Sequence, residues 1–250
     1  MALGPQPNLT AALAREATEK LLGPIYSDWF RTHVTGERYI PESGPALIVA
    51  NHSGAFAIDA LITMMAVARN TNRTLKLLGA DFLFNLGVNE LLEELDVKPA
   101  RPDVATELLT SGELVGVWPE GVRGVAKTFE QRYRLQRFGR GGFARIAIHL
   151  GVPVIPTAII GGEESYPLVG KVPGVLNWAG LPYLPVTPTF PALGPLGLIP
   201  FPAQWSIDFG EPLTPDYEDS PVGAFEFTDR VRDVVQDMIL NKLEQRSRVF

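Results

Sequence analysis

The stretch Pro45–Asn70, PALIVANHSGAFAIDALITMMAVARN, decides the fold class. Ala46–Ala50 offers no polar face to solvent, which is the mark of a strand buried on both sides in a parallel sheet. From Ala57 onward the apolar residues recur at helical spacing, and Asp59 stands at the start of that helix. Between the two elements lies Asn51-His52-Ser53-Gly54, at the carboxyl end of the strand. In open α/β sheets, ligands gather outside the strand carboxyl ends. His52 and Asp59 therefore read in two ways. They are a general base and its orienting carboxylate, or a loop histidine and an aspartate held by the positive end of a helix dipole.

Working outward, strands and helices alternate. HVTGERYI (33–40), LKLLGA (75–80), ELVGVW (113–118), VPVIPTAII (152–160) and WSIDFG (205–210) read as strands. DFLFNLGVNELLEEL (81–95), RPDVATELLTSG (101–112), RGGFARIAIHLG (140–151) and FEFTDRVRDVVQDMILNKLEQ (225–245) read as helices. NLTAALAREATEKLL (8–22) is a further helix, which Gly23-Pro24 should break. The expected architecture is α/β, a mostly parallel central sheet flanked by helices, with an N-terminal helical segment over 1–34 and a long C-terminal helix. The main domain spans 35–250 and includes an apolar, proline-rich loop at about 167–203.

That loop lacks any charged residue from Val172 to Ile207, yet its prolines forbid a membrane-spanning helix. It is an acyl-chain wall, an interfacial loop carrying Trp178, Tyr183 and Phe201, or a stiff loop packed on the core.

Composition narrows the function classes. The 250 residues are 46% hydrophobic and carry a net charge of −6, which fits a well-packed globular domain and argues against a general nucleic-acid binder. Without cysteine there is no thiolate chemistry, and three scattered histidines (His33, His52, His149) offer no metal-ligand spacing, so no metal is expected. His33 and His149 read as structural, at a strand start and a helix end. Nothing in MALGPQPNLT resembles a signal peptide, and a cytoplasmic location is expected. Between Gly121 and Arg145, Arg123, Lys127, Arg132, Arg134, Arg137, Arg140 and Arg145 face only Glu130. Such a run is a solvated basic face or a site for an anionic ligand or membrane.

Three more segments stand out. GVWPEGVRG supplies Glu120, Gly121 and Arg123: arginine's fork suits phosphate, and glycine admits a ligand to the backbone. Arg101 precedes a helix whose first amides also favour an anion. VPVIPTAIIGGEES ends in Gly161-Gly162-Glu163.

NHSGAFAID, RPDVATELLTSGELVGVWPEGVRG, RLQRFGRGGFARIAIHLGVPVIPTAIIGGEES and WSIDFGEPL, in this order, resemble the glycerolipid acyltransferase family of the lysophosphatidic acid acyltransferase type, over about Thr35–Pro212. The resemblance implies that 35–250 is an acyltransferase domain, that His52 is the base and Asp59 its partner, and that Glu120, Gly121, Arg123 and Arg101 bind the acceptor phosphate. It further implies an acyl-CoA or acyl-carrier-protein co-substrate with no other cofactor, and a lysophospholipid acceptor such as 1-acylglycerol 3-phosphate. The expected place is the inner face of the cell membrane, bound peripherally. The family's usual first block is His-x-x-x-x-Asp, whereas six residues separate His52 from Asp59. Either the loop carries two extra residues and still delivers Asp59 to the imidazole, which is the expectation, or His52 works without a carboxylate partner. Backbone amides near Ser53-Gly54 are the expected oxyanion donors. Two competitors remain: a non-catalytic lipid-binding or transfer protein, and a serine lipid hydrolase using Ser53.

Overall fold

In the computed structural model the described residues are 19–250 except 21, 57, 177–180 and 182. Most of the N-terminal helix expected over 8–22, and Trp178 of the apolar loop, lie outside them. Seven strands form one sheet in the order β1-β9-β6-β2-β5-β3-β4. These are β1 (His33–Thr35), β2 (Ala46–Ala50), β3 (Leu75–Gly79), β4 (Val97–Pro99), β5 (Leu114–Val117), β6 (Val154–Ile160) and β9 (Ser206–Phe209). All neighbours are parallel except β6 and β9. The expected α/β architecture is therefore present, with one antiparallel pairing inside the sheet.

Every residue of β2 and β6 is buried, as runs that are apolar apart from Thr157 demand. Successive side chains point to opposite faces and feed two cores. On one face Ile48, Ala50, Ile155 and Ile159 meet Ile62 and Met65 of helix α1 (Ile58–Asn70). On the other, Leu47, Val49, Val154 and Ala158 meet Phe143 and Ala144 of the helix Gly142–Leu150, and Val231, Val235 and Ile239 of the C-terminal helix Pro221–Gln245. Pro156 sits in β6 without breaking the ladder to β2. Its carbonyl accepts from Gly210 N on the β9 side, so its nitrogen points there too, and pairing with β9 begins only at Thr157.

Several boundaries differ from those read off the sequence. The break expected at Gly23-Pro24 does not occur: Pro24 takes a helical conformation and the chain continues through a π turn, Ile25–Trp29, to Phe30, whose ring stacks on Trp205 at 4.7 Å. The strand expected over 33–40 stops at Thr35, because Gly36 (φ 76°) turns the chain against the Phe209 carbonyl, where a side chain would collide. β1 thus begins at His33, inside the segment 1–34. The single helix expected over 81–95 is two, Asp81–Phe84 and Asn89–Glu94, parted at Gly87 with φ 73°. The C-terminal helix starts four residues earlier than expected, at Pro221, because Ser220 caps it by accepting from Gly223 N at 3.1 Å.

The apolar stretch is not wholly irregular. β7 (Gly170–Pro173) and β8 (Tyr183–Val186) form an antiparallel hairpin, and a 3₁₀ turn spans Gly194–Leu198. Among the described residues no helix is long and apolar enough to cross a membrane.

Candidate active site

β6, β2 and β5 are neighbours at the centre of the sheet, so the loops leaving their carboxyl ends converge. These loops carry Gly161–Glu163, Asn51–Gly54 and Trp118–Gly121 respectively. Asn51 fixes the middle one: its side chain donates to Ile159 O at 2.9 Å and accepts from Ile159 N at 2.7 Å, replacing two backbone partners at the end of β2.

The longer spacing does deliver the carboxylate. Asp59, fully buried in the first turn of α1, holds His52 Nδ1 at 2.8 Å from Oδ2. The same oxygen accepts from Ser53 N at 2.7 Å, and Oδ1 accepts from Ala60 N at 3.0 Å. With Nδ1 donating to the carboxylate, Nε2 is the ring atom left with a lone pair to take a proton. The Ser53 amide, being bonded to Asp59, is not an oxyanion donor.

Ser53 Oγ is buried and donates to Glu163. The hydroxyl proton is therefore given to a buried carboxylate rather than to the imidazole, which weighs against a Ser53 hydrolase.

Glu120 turns inward. Its side chain is fully buried; Oε1 accepts from His52 N at 2.9 Å and Oε2 from Gln136 N at 2.7 Å. Its ion-pair partner is Lys127, at 3.4 Å, rather than Arg123. Lys127 is consequently not part of a basic surface: only 1% of its side chain is exposed, and it also faces Glu163 at 3.5 Å. Burial pushes the Glu163 carboxyl above the usual carboxylate range, with Lys127 opposing that rise. Arg123, Arg132, Arg134, Arg137, Arg140 and Arg145 do remain exposed.

Gly121 has φ 56° and ψ −144°, a region open to glycine alone, and this turn directs Arg123 outward on the short helix Val122–Val125. Arg101 is more distant in the sheet order, following edge strand β4. It is exposed, lies 3.6 Å from Asp103, and lines a cavity of about 230 Å³ together with Trp118, Phe138 and Arg140. Trp118 joins this cavity to the dyad, since its ring lies 6.0 Å from that of His52. His52, Asp59, Glu120 and Gly121 are thus one cluster, with Arg123 and Arg101 on its periphery.

Sequence reasoning missed Lys127, Glu163 and Gly124 as parts of this cluster. The only signal was their nearness to motif residues. A Cβ on Gly124 would stand 2.5 Å from His52 Cβ and 2.7 Å from Glu120 Cβ. Gly124→Ala is expected to destabilise the protein by about 1–3 kcal/mol, read by chemical denaturation, because neither neighbour can retreat without breaking the His52–Glu120 contact. Gly162 and Gly54 show the same closeness between the β6 and β2 loops: a Cβ on Gly162 would lie 2.5 Å from Ser53 Oγ.

The apolar stretch touches the site through the loop that joins the dyad. Phe56 packs edge-on against Tyr166 at 4.8 Å and Phe190 at 5.9 Å. Beyond it Leu193, Leu196 and Ile199 are exposed.

The chain is similar to several known proteins. The family described as Acyltransferase matches residues 31–160. A protein of Mycobacterium tuberculosis described as uncharacterized is 43% identical over 255 aligned residues, covering 99% of this chain and 70% of its own. The human "DGAT1/2-independent enzyme synthesizing storage lipids" is 28% identical, over 90% of this chain and 66% of its own. Among solved structures, the 1-acyl-sn-glycerophosphate (LPA) acyltransferase PlsC of Thermotoga maritima shares the fold, with a TM-score of 0.60 at 21% identity, covering 95% of this chain and 82% of its own. With the matching family spanning more than half of the sequence and a buried His–Asp pair inside the matched region, this chain belongs to the acyltransferase family.

Proposed function

We propose that this protein transfers a fatty acyl group from an acyl thioester, acyl-CoA or acyl-carrier protein, to a hydroxyl of a (lyso)glycerophospholipid such as 1-acylglycerol 3-phosphate, in phospholipid synthesis. The observation that carries the proposal is the 2.8 Å contact between His52 Nδ1 and Asp59, which leaves Nε2 as the base. Nε2 takes the proton of the acceptor hydroxyl as its oxygen attacks the thioester carbonyl. The C–O ester bond forms, the C–S bond breaks, and the imidazolium returns the proton to the departing thiolate. Asp59 stabilises the imidazolium between these steps.

Arg123 and Arg101 would hold the acceptor phosphate, so that a non-reacting group positions the hydroxyl. Glu120 and Gly121 would contribute from behind, Glu120 by fixing the His52 backbone and Gly121 by turning Arg123 toward solvent. Exposed Leu193, Leu196 and Ile199, together with the exposed arginines, support a peripheral position on the inner face of the cell membrane.

The decisive experiment offers purified protein a long-chain acyl-CoA and a panel of acceptors: lysophosphatidic acid, glycerol 3-phosphate, monoacylglycerol and diacylglycerol. Acylation of none of them, with active controls, would sink the enzyme reading and leave the lipid-binding one. A neutral-glyceride acceptor is the second reading, favoured by the likeness to the storage-lipid enzymes. Arg123→Ala separates the two. With a phosphate-bearing acceptor it is expected to raise KM about 10-fold or more, the loss of one charge-assisted contact; with a neutral acceptor KM stays within about 2-fold.

A further inference from the structure

Lys127 is a buried ammonium that the acyl-transfer chemistry does not itself use. Burying a lysine is costly unless its charge is matched, and here two carboxylates match it. Glu120 lies at 3.4 Å and Glu163 at 3.5 Å, with Lys127, Glu120 and Glu163 having 1%, 0% and 5% of their side chains exposed. Each carboxylate in turn grips one residue of the β2 loop. Glu120 accepts the His52 amide at 2.9 Å, and Glu163 accepts the Ser53 hydroxyl. Asp59 takes the remaining handles, His52 Nδ1 and Ser53 N.

The cluster has a charge logic. Counted as formal charges, Glu120, Lys127 and Glu163 sum to one buried negative charge; without the ammonium, two carboxylates face each other across a low-dielectric gap. Separation of Glu120 from Glu163 would pull at His52 and Ser53 in opposite directions.

We propose that Lys127 is a positioning residue: by bridging Glu120 and Glu163 it holds the backbone of His52 and the hydroxyl of Ser53 in one fixed arrangement, which sets the imidazole in line for acyl transfer. This rests on the acyl-transfer reading for its kinetic consequence, though not for its structural one.

The test uses the full chain with Lys127→Met, Glu163→Gln and the double variant. Lys127→Met is expected to lower kcat about 100-fold, the scale of a displaced catalytic group, with acceptor KM within about 3-fold. Glu163→Gln in the Lys127→Met background restores the net buried charge to one negative and keeps an acceptor for Ser53 Oγ. It is expected to recover about 10-fold of the loss, which packing alone would not do. Hydrogen exchange of the His52 amide gives a readout independent of turnover: protection is expected in the wild type, lost in Lys127→Met and regained in the double variant. Should Lys127→Met fail to fold, the double variant decides, since it is expected to fold, protect the amide and turn over. An unchanged kcat and unchanged amide protection in Lys127→Met, or a double variant no better than the single one, would overturn the proposal. Altered amide exchange in a protein that acylates no acceptor would leave Lys127 in its role and remove only the acyl-transfer reading.

Discussion

Alanine at position 52 is expected to lower kcat by about 10³–10⁴-fold, equivalent to about 4–5 kcal/mol of lost transition-state stabilisation. The imidazole is the group at the carboxyl end of β2 with a lone pair to receive a hydroxyl proton, because Nδ1 is committed to Asp59 at 2.8 Å. Neither Asp59, which is fully buried, nor Glu120, whose two oxygens are taken by His52 N and Gln136 N, is free to substitute as base. KM for the acceptor should change little, since the proposed holders of its phosphate are Arg123 and Arg101. Steady-state kinetics with thermal unfolding in parallel checks this. A fall in Tm large enough to account for the lost rate, or a kcat within about 10-fold of wild type, would remove His52 from the reaction.

Asp59→Asn is expected to cost about 10²–10⁴-fold in kcat, approaching the His52 effect. Asp59 Oδ2 accepts from both the His52 ring and Ser53 N, while Oδ1 accepts from Ala60 N, so all three neighbours are donors. An amide has one oxygen to offer and must set its NH₂ against at least one of those donors. In one orientation the imidazole loses its tautomer; in the other it keeps the tautomer but loses the charge that stabilises the imidazolium. Retained activity in Asp59→Asn with loss in His52→Ala would reduce Asp59 to a helix-start residue and end the dyad. Comparing the pH profiles of the two variants separates a wrong tautomer from a misfolded loop.

Much of the fold was legible from local pattern. Ala46–Ala50 and Val154–Ile160 are buried throughout, as runs that are apolar apart from Thr157 imply, and the mostly parallel sheet follows from alternating strands and helices. The misplaced element ends at 24, 36 and 87 fall at glycines and prolines. Gly36 and Gly87 end elements because their positive φ is a choice the backbone makes in context, while Pro24 continues a helix through a π turn that no periodicity announces. β4 (Val97–Pro99) went unread because three residues give too short a pattern to register. The hairpin within the apolar stretch was hidden for another reason: beyond Lys171 its strands carry no charged residue, which leaves little contrast between their faces.

At the site, the sequence by itself marked candidates for chemistry: His52, Asp59 and the Glu120–Arg123 block by residue type and their place after strand ends, and Arg101 by its place before a helix. It could not determine what each of them touches. Lys127 reads from the sequence as one member of a basic run, yet the fold buries it against Glu120 and brings in Glu163 from the end of β6. The extra length between His52 and Asp59 left open whether they meet; tertiary structure decides it, because α1 starts where its first turn places Asp59 beneath the end of β2. Contact depends on the sheet order β6-β2-β5, which arises from long-range pairing and burial on two faces, and such pairing leaves no trace in the spacing of residues along the chain.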